Sequence, residues 1–261
     1  MLEKSHLEVM IMEKRRQQIV DLVNQQNEIS FAVLKEHFPD VSEVTLRKDL
    51  RYLDEEQLLI RVHGGAKSVH TAVPYLSDYY IRFTQHVEAK EIIAQKVAKM
   101  LKPHDTLFLA SGSTCGMVAK MLPNIPLRVF TDGMEVAINL AKVSNVEVHI
   151  VGGQIESGTM RVVGGGVLME LNKIRFDYAI CGTAAYSPKT GFSCDSSHKQ
   201  LLNEVLRKRA DKMLILMDQS KERLSRAGWF YPVSEVDMVI GDGKLSDETV
   251  RSFQAQGVEV H

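Results

Sequence analysis

The chain has 261 residues, 44% of them hydrophobic and 25% charged, with 17 glycines and 7 prolines; this excludes disordered, collagen-like and disulfide-stapled classes and allows one large domain or two smaller ones. A formal net charge of -1 selects no partner, so a nucleic-acid site has to be local. No apolar run approaches the roughly 18 residues of a membrane helix, Glu3, Lys4, Glu8 and Glu13 interrupt any secretory h-region, and Cys115, Cys181 and Cys194 stand far apart with no CxxC motif, so the expectation is a cytoplasmic protein with no membrane partner, no metal site and no cofactor.

Residues 12–26 place Met12, Ile19, Leu22 and Val23 on one stripe, which predicts an amphipathic helix closing near Asn27. A short second helix starts after the N-cap residue Ser30, carries Phe31, Leu34 and Phe38, and stops at Pro39-Asp40. A third runs from the cap Ser42 to about Glu56, with Leu46, Leu50 and Leu53 facing inward. Two short strands, 58–62 and 67–69, flank the turn His63-Gly64-Gly65-Ala66 and make a hairpin. Three helices and a hairpin compose a winged helix-turn-helix over residues 13–69. Residues 70–87, with Pro74 and three tyrosines, form a connector.

From Glu88 the pattern becomes a helix (88–101) followed by alternating strands and helices, which implies an α/β domain with a mainly parallel sheet over residues 88–261. The predicted strands are 106–109, 127–130, 147–151, 178–181, 213–217, 237–240 and 258–260. Most end in glycine or small polar residues, and the carboxyl ends of such strands are where ligands bind.

On the third helix, the face opposite the leucines carries Val44, Thr45, Lys48, Arg51 and Tyr52, with Arg47 on its flank. Thr45 and Lys48 suit base edges, Val44 a thymine methyl, and Arg47 and Arg51 phosphates, while Arg61, His63 and Lys67 on the wing suit backbone or minor-groove contacts. A solvated helix face reads the same way, and residues 1–70 hold ten Lys/Arg against twelve Asp/Glu. The acids Asp54, Glu55 and Glu56 nevertheless lie at the far end from Arg47, Lys48 and Arg51. In the second domain, Ser111-Gly112-Ser113-Thr114 between a strand and a helix suits an anion at a helix N-terminus, or is a plain turn.

SEVTLRKDLRYLDEEQLLIRVHGGA, residues 42–66, resembles the signature of DeoR-type bacterial regulators of sugar metabolism, the DeoR/GlpR family. The likeness runs over residues 13–261. It implies operator DNA as partner, with Ser42, Thr45, Arg47 and Lys48 on the DNA-facing segment and Asp49 and Leu50 fixing the helix. It also implies repression, a homo-oligomer, and a sensor domain similar in fold to ribose-5-phosphate isomerase that takes a phosphorylated sugar. The family's motif positions fall on Ser111, Gly112, Ser113, Thr114, Thr131, Gly152, Gly153, Gly164, Asp177, Gly182, Asp218, Ser220 and Lys221. Of these Ser111, Gly112, Ser113, Thr114, Thr131, Gly152, Gly153, Asp177, Gly182 and Lys221, together with Asp132, are the expected effector-binding residues. Asp177 and Asp242 read either as sugar-hydroxyl partners or as strand-end caps, the cap favoured for Asp242. Departures are Ala110 for an Asp, Asp132 for an Asn, and Lys199 and Asn203 for a later Glu and Lys, so the phosphate end is retained and the sugar end altered. Residues 1–12 precede the family's usual start, which makes Met10 and Met12 alternative initiators. Two rivals are an isomerase carrying a DNA-binding domain, disfavoured by Ala110 and by the lack of an acid/base pair, and a regulator sensing a non-phosphorylated ligand.

Overall fold

The computed structural model describes residues 2–56, 58–68, 82–194, 196–222 and 229–261. The chain divides into two units, Met1–Thr84 and Gln85–His261; most of the tyrosine-bearing connector expected at 70–87 lies outside the described residues. No helix among them is long and apolar enough to cross a membrane.

In the first unit, α1 (Leu2–Gln26) starts well before the expected residue 12 and stops at Asn27, whose φ of 66° is the left-handed geometry of a helix end. A strand the sequence did not announce, β1 (Glu28–Ser30), follows, then α2 (Phe31–His37) and α3 (Glu43–Glu55). Ser30 and Ser42 cap the two helices by accepting from the N–H groups of Val33 and Thr45. The wing is β2 (Ile60–Val62) and β3 (Gly65–Lys67), with Val62 opposite Gly65. Its turn is therefore only His63-Gly64, and Gly65 and Ala66, expected in the turn, are strand residues. β1 adds to the far side of β3, giving the order β1-β3-β2. Gly65 is required there, because a Cβ would stand 2.1 Å from the Ile29 carbonyl oxygen.

The small core joins Ile19, Val20 and Val23 to Ile29, Leu34, Leu46, Leu50, Leu53 and Leu59. Inside it α3 carries an acid: Asp49 is 2% exposed, and its two oxygens accept from Arg15 Nε at 2.7 Å and Arg16 Nε at 2.9 Å. The Arg16 guanidinium also lies 3.7 Å over the Tyr52 ring. These bonds clamp α1 to α3 and fix which face α3 turns outward.

The second unit opens with α4 (Val87–Met100) and is built on seven parallel strands. In chain order they are β4 (Thr106–Leu109), β5 (Leu127–Thr131), β6 (Val146–Ile150), β9 (Phe176–Gly182), β12 (Ala210–Met217), β14 (Met238–Gly241) and β15 (Glu259–Val260). All seven predicted strands are present. The spatial order is β15-β14-β12-β9-β4-β5-β6: the chain builds outward from β4 in one direction, then returns to β9 and builds outward in the other. Such sheets are buried on both faces, which explains the nearly continuous apolar runs. The centre is held by Phe176, whose ring meets Phe108 and Phe130 edge-on at 6.0 and 5.6 Å.

The remaining helices are α5 (Ser113–Met121), α6 (Met134–Leu140), α7 (Gly165–Leu171), α8 (Ser197–Arg209) and α9 (Asp247–Gln254). α4 packs on α5 and α5 on α6, while α7 packs on α8. Two small antiparallel elements went unpredicted. One is the hairpin β7 (Gln154–Glu156) and β8 (Arg161–Val163); the other is a sheet of β10 (Ala185–Ser187), β11 (Gly191–Cys194) and β13 (Trp229–Tyr231).

Breaking the clamp in the first unit leaves two arginines aimed at an apolar pocket. Asp49→Ala is therefore expected to destabilise that unit by about 3 to 5 kcal/mol. Denaturant unfolding of the full chain measures this, and a change under 1 kcal/mol would reduce the clamp to a surface-type ion pair.

Candidate functional site

Two regions concentrate exposed or buried polar chemistry, one in each unit. In the first, the Asp49 clamp and the leucine stripe force Val44, Lys48, Arg51 and Tyr52 outward, with Val44 64% exposed. Thr45 is half-buried, and its hydroxyl lies 2.8 Å from that of the cap residue Ser42. Arg47 is held from two sides, its Cζ 4.3 Å from the Phe31 ring centroid and its Nη2 3.6 Å from Glu43 Oε2. On the wing, Arg61 and His63 are exposed, and Lys67 Nζ stands 3.2 Å from Glu28 Oε2 on β1. A cavity of about 740 Å³ between α3 and the wing is lined by Arg47, Arg61 and His63. Its lining acid, Asp54, accepts from the Arg61 N–H at 2.9 Å. A helix face bearing a methyl, a hydroxyl and cations beside a cationic groove is suited to base edges and phosphates together. Phe31 and Glu28, which orient Arg47 and Lys67, were not singled out by sequence reasoning; Phe31 reads there as one more core residue.

In the second unit the direction of strand building reverses between β4 and β9, and at such a switch the loops leaving the two carboxyl ends diverge and open a crevice. β4 delivers Ser111-Gly112-Ser113-Thr114 there. Gly112 has a φ of 127°, open to glycine but strained for other residues, and no side chain caps α5, so the first N–H groups of α5 face outward. Asp132, 1% exposed, reaches back across the loop: its Oδ1 accepts from Ser111 N at 2.6 Å and its Oδ2 from Ser111 Oγ at 3.1 Å. Thr131 Oγ1 accepts from Gly133 N at 3.0 Å. Both side chains brace the loops from beneath.

Other sequence-assigned positions divide. Gly182 ends β9 at the crevice, and Lys221 ends a 3₁₀ turn, Gln219–Lys221, just past β12, which Asp218 caps through Ser220 N. Gly152 N donates to Glu170 Oε2 at 3.2 Å, and Gly153 packs so tightly that a Cβ would lie 2.5 Å from Val163 O. Gly164 caps α7 with a φ of 123°. Asp177 does not join this group. It stands at the amino end of β9, where its Oδ2 accepts from Thr106 N at 2.7 Å, at the opposite edge of a parallel sheet from the loops. Asp242 likewise caps its own turn at Lys244 N.

Three cationic or titratable residues complete the crevice: Lys199, which stands where the family's Glu does, and Arg161 and His198, which the sequence reading does not assign to it. Arg161, 4% exposed on β8, bridges to Gly133 and pairs through Nη2 with Glu156 Oε2 at 3.1 Å. His198 and Lys199 begin α8 behind the cap Ser196. Burial raises the Asp132 carboxyl above its ordinary value; the bonds from Ser111 and the charges of Arg161 and Lys199 oppose that rise. Burial lowers His198, against the pull of Asp132 and with the repulsion of Arg161. Burial also pushes the Cys115 thiol up to about 12 and Cys181 well above its usual value, so neither supplies a thiolate nucleophile at neutral pH.

A carboxyl whose folded-state pKa is raised contributes stability that is full below its unfolded value and is lost as pH rises through the folded value. Asp132→Asn keeps an acceptor for Ser111 N without that ionisation. Its melting temperature relative to the parent chain is expected to rise as pH goes from about 4 to about 8. A difference that stays flat with pH would mean Asp132 is not held against its own charge.

The model of the DeoR-like helix-turn-helix domain matches residues 15–72, and that of the DeoR C-terminal sensor domain matches residues 85–243. The glycerol-3-phosphate regulon repressor of Escherichia coli K12 is 30% identical over 230 residues, 88% of this chain and 90% of that protein. The L-fucose operon activator of the same strain is 27% identical, over 87% of this chain and 94% of that one. Among solved structures, ribose 5-phosphate isomerase A of Methanocaldococcus jannaschii aligns with a TM-score of 0.37 and 15% identity, over 51% of this chain and 53% of that enzyme. The matched domains are a DNA-binding and a sensor domain, not a catalytic one, and the chain, a transcriptional regulator rather than an enzyme, belongs to the DeoR family.

Proposed function

We propose that this regulator represses genes of carbohydrate metabolism and that a phosphorylated sugar, bound at the β4/β9 switch, releases it from its operator. The observation that carries the reading is the uncapped start of α5 behind Ser111 and Gly112, with Arg161 close enough to Asp132, beneath the same loop, to act on its carboxyl; Lys221 ends the turn after β12 at the same edge of the sheet. Outward N–H groups at a helix start and nearby cations are the chemistry of phosphate recognition. Gly152, Gly153 and Gly182 shape its wall, with Thr131 and Asp132 bracing it. Repression is the reading favoured by the 30% identical relative, itself named a repressor; the relative named an activator makes the sign of the response a part of the test. A homo-oligomer acting in the cytoplasm would offer repeated copies of α3 to a symmetric operator.

At the DNA end, Ser42, Val44, Thr45, Arg47, Lys48 and Arg51 form the reading face, with Arg61, His63 and Lys67 on the wing. The effector works by binding the DNA-competent and DNA-incompetent states unequally; a coupling of about 1 to 3 kcal/mol changes operator affinity about 5- to 150-fold.

Fluorescence anisotropy on DNA flanking the protein's own gene, at fixed salt and with a panel of sugar phosphates, tests the reading. Operator binding is expected to weaken with at least one compound, and Ser113→Ala with Thr114→Ala to abolish that response while leaving DNA binding intact. Indifference to every sugar phosphate would remove the phosphate pocket and keep the DNA reader. Arg47→Ala is expected to weaken binding on all sequences and to lower the salt slope by about one, whereas Thr45 and Lys48 variants change sequence preference. An unchanged slope would take Arg47 out of the interface.

A further inference from the structure

The charges around the crevice differ in what already holds them. Arg161 is paired with Glu156, and both oxygens of Asp132 are committed to Ser111. Lys199 and Lys221 are both half-buried, and among the described residues neither ammonium has a hydrogen bond or an ion pair. His198 adds a buried Nε2 with no hydrogen-bond partner. The two lysines come from different elements, Lys221 from the turn after β12 and Lys199 from the first turn of α8.

The packing of α8 fixes where Lys199 stands. One turn further along the same face, Asn203 is 3% exposed and donates to Cys194 Sγ at 3.6 Å. Cys194 ends β11, whose neighbouring Ser193 O accepts from the Ala184 N–H at 3.2 Å. α8 therefore stands over the segment leaving the carboxyl end of β9, on the β9 side of the switch, whereas the Ser111 to Thr114 loop lies on the β4 side; from α8 the Lys199 charge is felt across the seam by Asp132 and Cys115. The residues at the mouths of these strands that are not glycine or hydroxyl are Ala110 and Ala184, with no carboxylate to accept from sugar hydroxyls.

A half-desolvated ammonium facing a neutral polyol stays unpaired when the ligand closes over it, which is costly; a second anion on the ligand removes that cost. We infer that the effector is anionic at both ends, a phosphorylated sugar bearing a second acidic group, with the phosphate at the α5 start and the second anion at Lys199. This rests on the phosphate-sensing reading above and deepens it. A carboxylate and a second phosphate share the chemistry required, and the probes separate them.

The test is calorimetric titration of the full-length protein with 6-phosphogluconate and fructose 1,6-bisphosphate, against glucose 6-phosphate and fructose 6-phosphate. At least one doubly anionic compound is expected to bind about tenfold or more tightly than either monophosphate. Lys199→Gln is expected to erase that advantage while leaving monophosphate affinity within about twofold, and Lys199→Glu to reverse the preference. Because the Lys199 ammonium has no partner to lose, the melting temperature of Lys199→Gln serves as the folding control. Ser113→Ala with Thr114→Ala weakens both classes. Monophosphates binding as well as the doubly anionic compounds, or Lys199→Gln weakening both classes alike, would overturn the second-anion site and leave the phosphate sensor standing. No binding by any of the four would overturn both. Preference for 6-phosphogluconate identifies the second group as a carboxylate, and preference for the bisphosphate identifies a phosphate.

Discussion

The reversal of strand order between β4 and β9 is the constraint on which the sensor unit depends. Every parallel strand sends its chain out at the same edge of the sheet, but at this one seam the departing loops turn away from each other. The seam also lies at the centre of the sheet, where Phe108 and Phe176 on the two adjoining strands meet edge-on at 6.0 Å. Towards the carboxyl end of the seam the paired Leu109 and Ile180 are fully buried, and the polar groups stand above them in the loops. That division explains why Thr131 and Asp132, the polar residues nearest the floor, are bonded inward to loop backbone while the groups without partners, on Lys199 and Lys221, come from the rim.

A buried carboxylate performs a comparable task in each unit. Asp49 gathers Arg15 and Arg16 and so sets the angle of α3; Asp132 gathers the backbone and hydroxyl of Ser111 and so sets the shape of the loop before α5. Both cases trade the desolvation of one charge for the orientation of a functional surface. They differ in how the charge is compensated. Asp49 meets two guanidinium groups directly, whereas Asp132 meets neutral donors and feels Arg161 and Lys199 only through space.

Much of this was legible in the residues because it repeats over enough of them. The Leu46, Leu50, Leu53 stripe, the serine caps and seven apolar strand runs each give a period or a boundary, and the structure places all of them. β1, β7, β8, β10, β11 and β13 are mostly three residues long, too short for a period of two to emerge, and they pair with partners made by the tertiary fold. Arg161 was invisible for the same reason: its strand exists because of its hairpin. Asp177 offers a different case: it precedes the apolar run 178–181 and so sits at a strand's amino end, and of its two readings, sugar-hydroxyl partner or strand-end cap, its bond from Thr106 N favours the cap. The three cysteines were read as far apart, and in sequence they are; in the fold Cys115 and Cys194 both lie close enough to Cys181 to act on its thiol.

The distribution of polar groups around the seam limits how ligand binding can be felt. The α5 start belongs to the β4 side and Lys199 to the β9 side, so one small molecule touching both is attached to two elements that the sheet joins only along a single pair of strands. Its binding free energy is then a function of the spacing between those elements. A ligand confined to one side would have no such leverage: it would bind every spacing equally, and a ligand that binds two states equally shifts neither, however tightly it is held. The requirement that a sensor discriminate between states therefore falls on groups at both rims of the crevice rather than on the depth of either.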